Sequence, residues 1–271
     1  MLAERGEDLV AVADGGTAID ESGCAEMRVC VVTGGGGVRI GSGICRALAA
    51  KDWTVVVADQ DLAAAELVSE ELQAGGATAA AMRLDVTDTE SVREVVAATV
   101  TAYGRIDAWV NSAGVGLRKL GTEATPEEFD RLHAINYRGA WTCIREVVPV
   151  LLDNGGGGIV NIGSVHAAGA AETFTLYAAT KAALAALTRG IARDHGRENI
   201  RCNIVHPGAV EARGREHLLA DFVADHQMLP TPVEAIDIGN AVAFLLSPEA
   251  RAITGVELFV DAGTTAMLFD N

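Results

Sequence analysis

From Arg28 onward, short apolar runs alternate with stretches whose apolar residues recur every three or four positions. "RVCVVTG" (28–34) reads as a buried strand ending at glycine, and "IGSGICRALAA" (40–50) sets Ile40, Ile44 and Leu48 on one helical face. "TVVVAD" (54–59) is the next strand, and "AAAELVSEELQAGG" (63–76) is a helix closed by glycine. A third strand (79–86), a helix (89–104) and a fourth strand within 106–114 follow. The second half repeats the alternation: a long helix within 126–153, a strand over 158–164, a helix over 175–195, a strand over 200–208, a helix near 234–247 and a last strand over 256–263. The gaps between strands are too long for hairpins and suit helical crossovers. The pattern predicts an α/β fold, a doubly wound, mostly parallel sheet with helices on both faces. No linker divides residues 28–271, which are expected to form a single domain.

Composition changes the picture at the N-terminus and at the surface. Residues 1–27 carry seven acidic side chains and one basic one, Arg5, without a helical stripe, so a poorly ordered extension is expected there. The whole chain, 271 residues long, carries 37 Asp and Glu against 21 Lys and Arg, a formal charge of −16. Such a surface repels phosphate backbones and anionic lipid, so neither nucleic acid nor membrane is an expected partner. No apolar run is long enough to span a bilayer, and the N-terminus lacks the basic start and apolar core of a signal peptide. Cys24, Cys30, Cys45, Cys143 and Cys202 form no C-x-x-C pair and read as small buried hydrophobes in a reducing, cytoplasmic compartment; no metal site is expected.

Candidate chemistry falls where this fold places ligands, at the carboxyl ends of strands. The strands are followed in order by a glycine loop, Asp59, Asp85-Val86, Asn111-Ser112-Ala113-Gly114, Ser164 and Pro207-Gly208. Bland packing does not predict a polar or special residue at every strand end. Tyr177 and Lys181, four apart on the helix after the fifth strand, share one face. A phenol is a poor base at neutral pH, and a nearby ammonium favours its ionised form. A solvated helix face would also present such a pair, but Ser164 at the preceding strand end adds a third polar group.

"TGGGG…IG", "VNSAG", "NIGS", "YAATK" and "CNIVHPG", in that order, resemble the short-chain dehydrogenase/reductase family over about Arg28 to Gly263. The resemblance implies a Rossmann fold in which Tyr177 is the catalytic acid/base. It further implies that Lys181 lowers the pKa of Tyr177 and holds the nicotinamide ribose, and that Ser164 steadies the substrate oxygen. It makes Asn136 part of a water-linked proton relay; a helix residue bonded to backbone is the alternative. Asp59 would accept hydrogen bonds from the adenosine ribose and repel the extra phosphate of NADP, with Asp61 as a helix cap. By the same resemblance Asp85 and Val86 meet the adenine, Asn111, Ala113 and Gly114 lie against the cofactor, and Pro207 and Val210 meet the nicotinamide amide. The family's hydroxyl residue after that site is replaced by Ala212. Leu117, Arg118, Val165, His166, Phe174, Leu176 and a lid within 209–231 would line the substrate pocket. His166, and Arg213 with it, would be either a carboxylate ligand or, respectively, a wall residue and a surface charge.

The expected reaction is therefore NAD(H)-dependent interconversion of a small or medium secondary alcohol and its ketone, and the resemblance implies a homotetramer or dimer. The alternatives are an NADPH-dependent carbonyl or 3-oxoacyl reductase, and a dinucleotide-binding regulator without turnover. The phosphate loop is where the motif departs from the family pattern. Gly41 lies eighteen residues before Asp59, the family's spacing for the last glycine, so Ile40-Gly41 close a loop from Thr33 and Gly34 that is one residue longer than usual. The glycine run is expected to absorb the surplus through positive φ. Arg39 then stands where a glycine is usual, at the pyrophosphate position, and is expected to fold outward or lie along the phosphates.

Overall fold

The structure is a computed structural model and describes residues 27–37, 39–169, 171–210 and 225–267. Seven strands form one sheet in the order β3-β2-β1-β4-β5-β6-β7: β1 Arg28–Thr33, β2 Trp53–Asp59, β3 Ala79–Arg83, β4 Ala108–Asn111, β5 Gly157–Ile162, β6 Ile200–Pro207 and β7 Glu257–Val260. Every described pairing is parallel, so the sheet is parallel throughout rather than mostly. The order reverses at β1, which has β2 on one side and β4 on the other, and this opens a crevice at their carboxyl ends.

Burial on both faces explains why the strands read as continuous apolar runs. Along β2, Val55 and Val57 face one core with Ile44, Leu48, Leu72 and Ile238, while Val56 and Ala58 face the other with Val92, Trp109, Ile144 and Leu151. The first face is covered by α1 (Ile40–Ala49), α2 (Leu62–Ala74) and α7 (Ala235–Leu246). The second is covered by α3 (Thr89–Tyr103), α5 (Ala140–Asp153) and α6 (Thr175–His195). Helices α1 and α7 approach so closely that a Cβ on Gly43 would lie 2.5 Å from the Ala235 carbonyl oxygen.

The helix expected within 126–153 is interrupted. Its first part, α4 (Pro126–His133), starts with a capping box: Glu128 N–H donates to Thr125 Oγ1 (3.2 Å) and Thr125 N–H to Glu128 Oε2 (2.8 Å). A π-helical stretch, Ala134–Gly139, then widens the backbone before α5. Four cysteines, Cys30, Cys45, Cys143 and Cys202, are buried and free, and burial raises each thiol above its ordinary pKa. Cys24, the extension over 1–26, Ala212, Arg213 and most of the expected lid lie outside the described residues. Among the described residues, no helix is long and apolar enough to cross a membrane.

Candidate active site

The crevice beside β1 is built by close backbone contacts. Thr33 Oγ1 accepts from the N–H groups of Ser112 (3.1 Å) and Ala113 (3.0 Å), which ties the ends of β1 and β4 together. Gly34 takes φ +67°, and a Cβ there would lie 2.9 Å from Ala113 Cα. A Cβ on Gly41 would lie 2.0 Å from the Gly34 carbonyl oxygen, so the first turn of α1 rests directly on the loop. The glycine run departs from expectation in its dihedrals. Gly35, Gly36 and Gly37 keep ordinary φ, and only Gly34 is left-handed. Gly35 and Gly36 are required by contact instead, with a Cβ falling 2.9 Å from Val57 Cγ1 and 2.7 Å from Ala65 N respectively.

A cleft of about 810 Å³ opens above this loop. Gly34, Arg39, Ile40 and Gly41 line one part of it, Asp59, Asp85 and Val86 a second, and Ala113 and Gly114 a third. Asp59 accepts from Gly36 N–H on Oδ2 (3.1 Å) and from Asp61 N–H on Oδ1 (3.0 Å), so it braces the loop while facing the cleft. Asp61 caps α2 by accepting from Ala64 N–H (3.2 Å). Asp85 is fixed by Thr87, whose N–H and hydroxyl both donate to Oδ1 (2.9 and 2.7 Å). Arg39 is exposed and is among the residues that line the cleft. Arg131 and Arg138, which the sequence reading did not single out, line the same cleft. Sequence spacing gave no signal for them: Arg138 lies two residues past Asn136, and residues two apart do not share a helical face.

Five expected cofactor residues, Asn111, Tyr177, Lys181, Pro207 and Val210, are not among those that line this cleft. The Asn111 side chain belongs to the core, where it accepts from Trp109 Nε1 (2.9 Å) and donates to Asn161 Oδ1 (2.8 Å). Pro207 ends β6, and Val210 pairs with Val233 beyond it; neither is among the cleft-lining residues.

A second group of polar residues gathers above β5. Lys181 is buried and donates from Nζ to the Ile162 carbonyl (2.8 Å), with Nζ 5.7 Å from the centroid of the Tyr177 ring. Burial lowers the Lys181 pKa to about 8. Burial also raises the Tyr177 phenol above its ordinary value, and a hydrogen bond with Ser164 pulls it partly back. Desolvation is the largest effect on Tyr177, and it acts in the opposite direction to the lowering by Lys181 that the resemblance implied. Asn136 is buried on the π-helical stretch, where Oδ1 accepts from Val115 N–H (2.8 Å) and Nδ2 donates to the Val115 carbonyl (2.9 Å) and Thr180 Oγ1 (3.2 Å). A Cβ on Gly114 would lie 3.4 Å from Asn136 Oδ1 and 3.5 Å from Lys181 Nζ, so the cleft and this polar group are contiguous.

His166, Phe174 and Tyr177 form an aromatic wall. His166 stacks on Phe174 at 4.4 Å and meets Tyr177 edge-on at 5.9 Å. Burial lowers the His166 pKa, which keeps the ring neutral at pH 7 and favours the wall role over carboxylate binding.

The parallel sheet, the glycine loop at its switch point and the carboxylate after β2 together define a dinucleotide-binding type of fold. The residues present fit a nicotinamide dinucleotide: a cradle a Cβ would fill, a helix N-terminus at the loop and carboxylates along the cleft. A family described as enoyl-(acyl carrier protein) reductase matches residues 37–265. The 7α-hydroxysteroid dehydrogenase of Bacteroides fragilis is 32% identical over 247 residues, covering 89% of this chain and 95% of that protein. The 3-oxoacyl acyl-carrier-protein reductase of Staphylococcus epidermidis is 32% identical over 203 residues, covering 73% of this chain and 83% of that one. A solved structure of 7α-hydroxysteroid dehydrogenase with NADH and 7-oxo glycochenodeoxycholic acid superposes with a TM-score of 0.83 at 31% identity, covering 88% of this chain and 94% of that chain. The chain belongs to the short-chain dehydrogenase/reductase family. It is an oxidoreductase that acts on hydroxyl or keto groups of small molecules with NAD(P).

Proposed function

We propose that this chain interconverts a secondary alcohol and its ketone with NAD(H), with residues 28–271 as one catalytic unit and Tyr177 as acid/base. The observation that carries the reading is the gathering of Ser164, Tyr177 and Lys181 above β5, beside a cleft whose far part presents Asp59. The nicotinamide, when bound, accepts or supplies the hydride. Tyr177 takes the hydroxyl proton in oxidation and returns it to the ketone oxygen in reduction, so the alcohol loses one hydride and one proton in total. Ser164 donates a hydrogen bond to the same oxygen and stabilises charge developing on it. Lys181 places a positive charge beside the ring, and Asn136 ties the Val115 backbone to α6 through Thr180. Gly34, Ile40, Gly41 and Gly114 hold the cofactor by backbone, Asp85 and Val86 take its adenine end, and Asp59 takes the adenosine ribose. The wall of His166 and Phe174 suits an apolar substrate, as the steroid named for the superposing structure also suggests.

Replacing Tyr177 by Phe tests the assignment. Turnover should fall by about 10²- to 10⁴-fold while NADH binding persists. An unchanged rate in that variant would contradict it. A protein that binds NADH but turns over nothing would instead be the dinucleotide-binding regulator.

NADPH is the second reading, and the observation favouring it is the three arginines, Arg39, Arg131 and Arg138, along the cleft. Asp59 supports NAD because its charge opposes a ribose phosphate. Comparing kcat/KM with the two cofactors decides between them: the expected outcome is a preference for NAD(H), and a wide preference for NADPH overturns it.

A further inference from the structure

His206 lies in "CNIVHPG" at the end of β6, and neither the expected chemistry nor the cleft uses it. It is fully buried, stacked on Phe259 with centroids 4.7 Å apart. Its ring lies against the backbone that carries Ser164. A Cβ at Gly163 would fall 2.3 Å from His206 Nδ1, so only glycine there admits the imidazole. Nδ1 is 3.0 Å from the Ser164 nitrogen and 2.9 Å from the Ser164 carbonyl oxygen. Nε2 is 3.1 Å from Glu257 Oε2 on β7, and Glu257 in turn pairs with Arg189 on α6, the helix of Tyr177 and Lys181.

One nitrogen cannot accept and donate at once, and the chemistry of Glu257 decides which it does. An ionised carboxylate only accepts, so Nε2 carries a proton. In the neutral ring Nδ1 then has a free lone pair and accepts the Ser164 N–H. Protonation of Nδ1 removes that acceptor and offers a donor to the Ser164 carbonyl instead. We propose that His206 is a positioning residue for the reaction: neutral, it clasps the Ser164 N–H and fixes the direction of the Ser164 hydroxyl, and protonated, it releases that N–H and disturbs the site. The charged groups that act on the ring are Glu257 from β7, Arg189 through Glu257, and Lys181 from α6. Burial, the largest effect on the ring, lowers its pKa and keeps the clasp in its neutral form at pH 7. The inference rests on the proposed role of Ser164, but the clasp itself is measurable without turnover.

The test combines imidazole and amide NMR of the labelled full chain with kinetics of His206→Ala and His206→Asn. Asn places an acceptor near the Nδ1 position but does not titrate. The expected results are an Nε2–H tautomer at pH 7 and a Ser164 amide signal that follows the His206 titration. His206→Ala should lose kcat on the order of tenfold with NADH affinity unchanged, since small misplacement of a reacting group is costly. His206→Asn should recover most of that rate and lose the acid limb of the wild-type pH profile. An Nδ1–H tautomer, a Ser164 amide indifferent to the titration, or His206→Asn as impaired as His206→Ala would overturn the proposal. If His206→Ala does not fold, the wild-type NMR titration and His206→Asn decide. If the wild type turns over no substrate, the proposed function fails while the tautomer and amide titration still judge the clasp.

Discussion

At the scale of single residues, the free protein favours one protonation state of its acid. Burial raises the Tyr177 phenol, so at neutral pH it is protonated, the form that donates to a ketone. Alcohol oxidation needs the ionised form, whose population grows with pH. The rate of oxidation is therefore expected to rise from pH 7 through 9, while reduction stays flat or falls; initial rates in both directions across that range check this. Lys181 makes a stability prediction with its own sign. Its folded pKa, about 8, lies below the unfolded value of 10.5, so between these the unfolded state binds more protons and stability rises with pH. Below pH 8 the buried ammonium is a cost of up to about 3 kcal/mol. Lys181→Met should raise the thermal midpoint at pH 7, lose that advantage above pH 10 and abolish turnover; denaturation at several pH values reads it. Asp59, Ser164, Tyr177 and Lys181 were legible because strand ends and helical spacing place them. The direction of the Tyr177 shift was not, because desolvation depends on packing that spacing does not reveal.

At the scale of elements, the apolar periodicity placed the seven described strands and helices α1, α2, α3, α6 and α7 to within a few residues, since both faces of the sheet are covered and the runs are continuous. The interruption at Ala134–Gly139 was illegible: the apolar positions continue through it, and only backbone hydrogen bonding distinguishes a π-helical stretch. The glycine loop was half legible. Counting back from Asp59 assigned Gly41 as the closing glycine, and its contact with Gly34 agrees with that register. Positive φ was the wrong reason for the middle of the run, where close side-chain and backbone neighbours forbid a Cβ. Gly43→Ala should cost about 1–3 kcal/mol by forcing α1 from α7, whereas Gly190→Ala, in open space on α6, should stabilise by about 0.5–1 kcal/mol. Chemical denaturation of the two variants separates a packing requirement from simple helix propensity.

At the scale of the molecule, the doubly wound order places the glycine loop, Asp59 and the Ala113-Gly114 turn around one crevice because β1 is the switch point. Trp141 on α5 and Phe244 on α7 are exposed apolar side chains on opposite sides of the sheet. We propose that such faces pair copies of the chain as a homodimer or homotetramer, in the cytoplasm; light scattering of the purified protein should give a mass of two or four times 28.1 kDa. The central claim is chemical and is tested most directly by following NADH absorbance with a panel of secondary alcohols and their ketones, for the wild type and Tyr177→Phe side by side. The account predicts turnover of at least one alcohol–ketone pair by the wild type and its loss in the variant with NADH binding intact. Equal rates in the two proteins would contradict it.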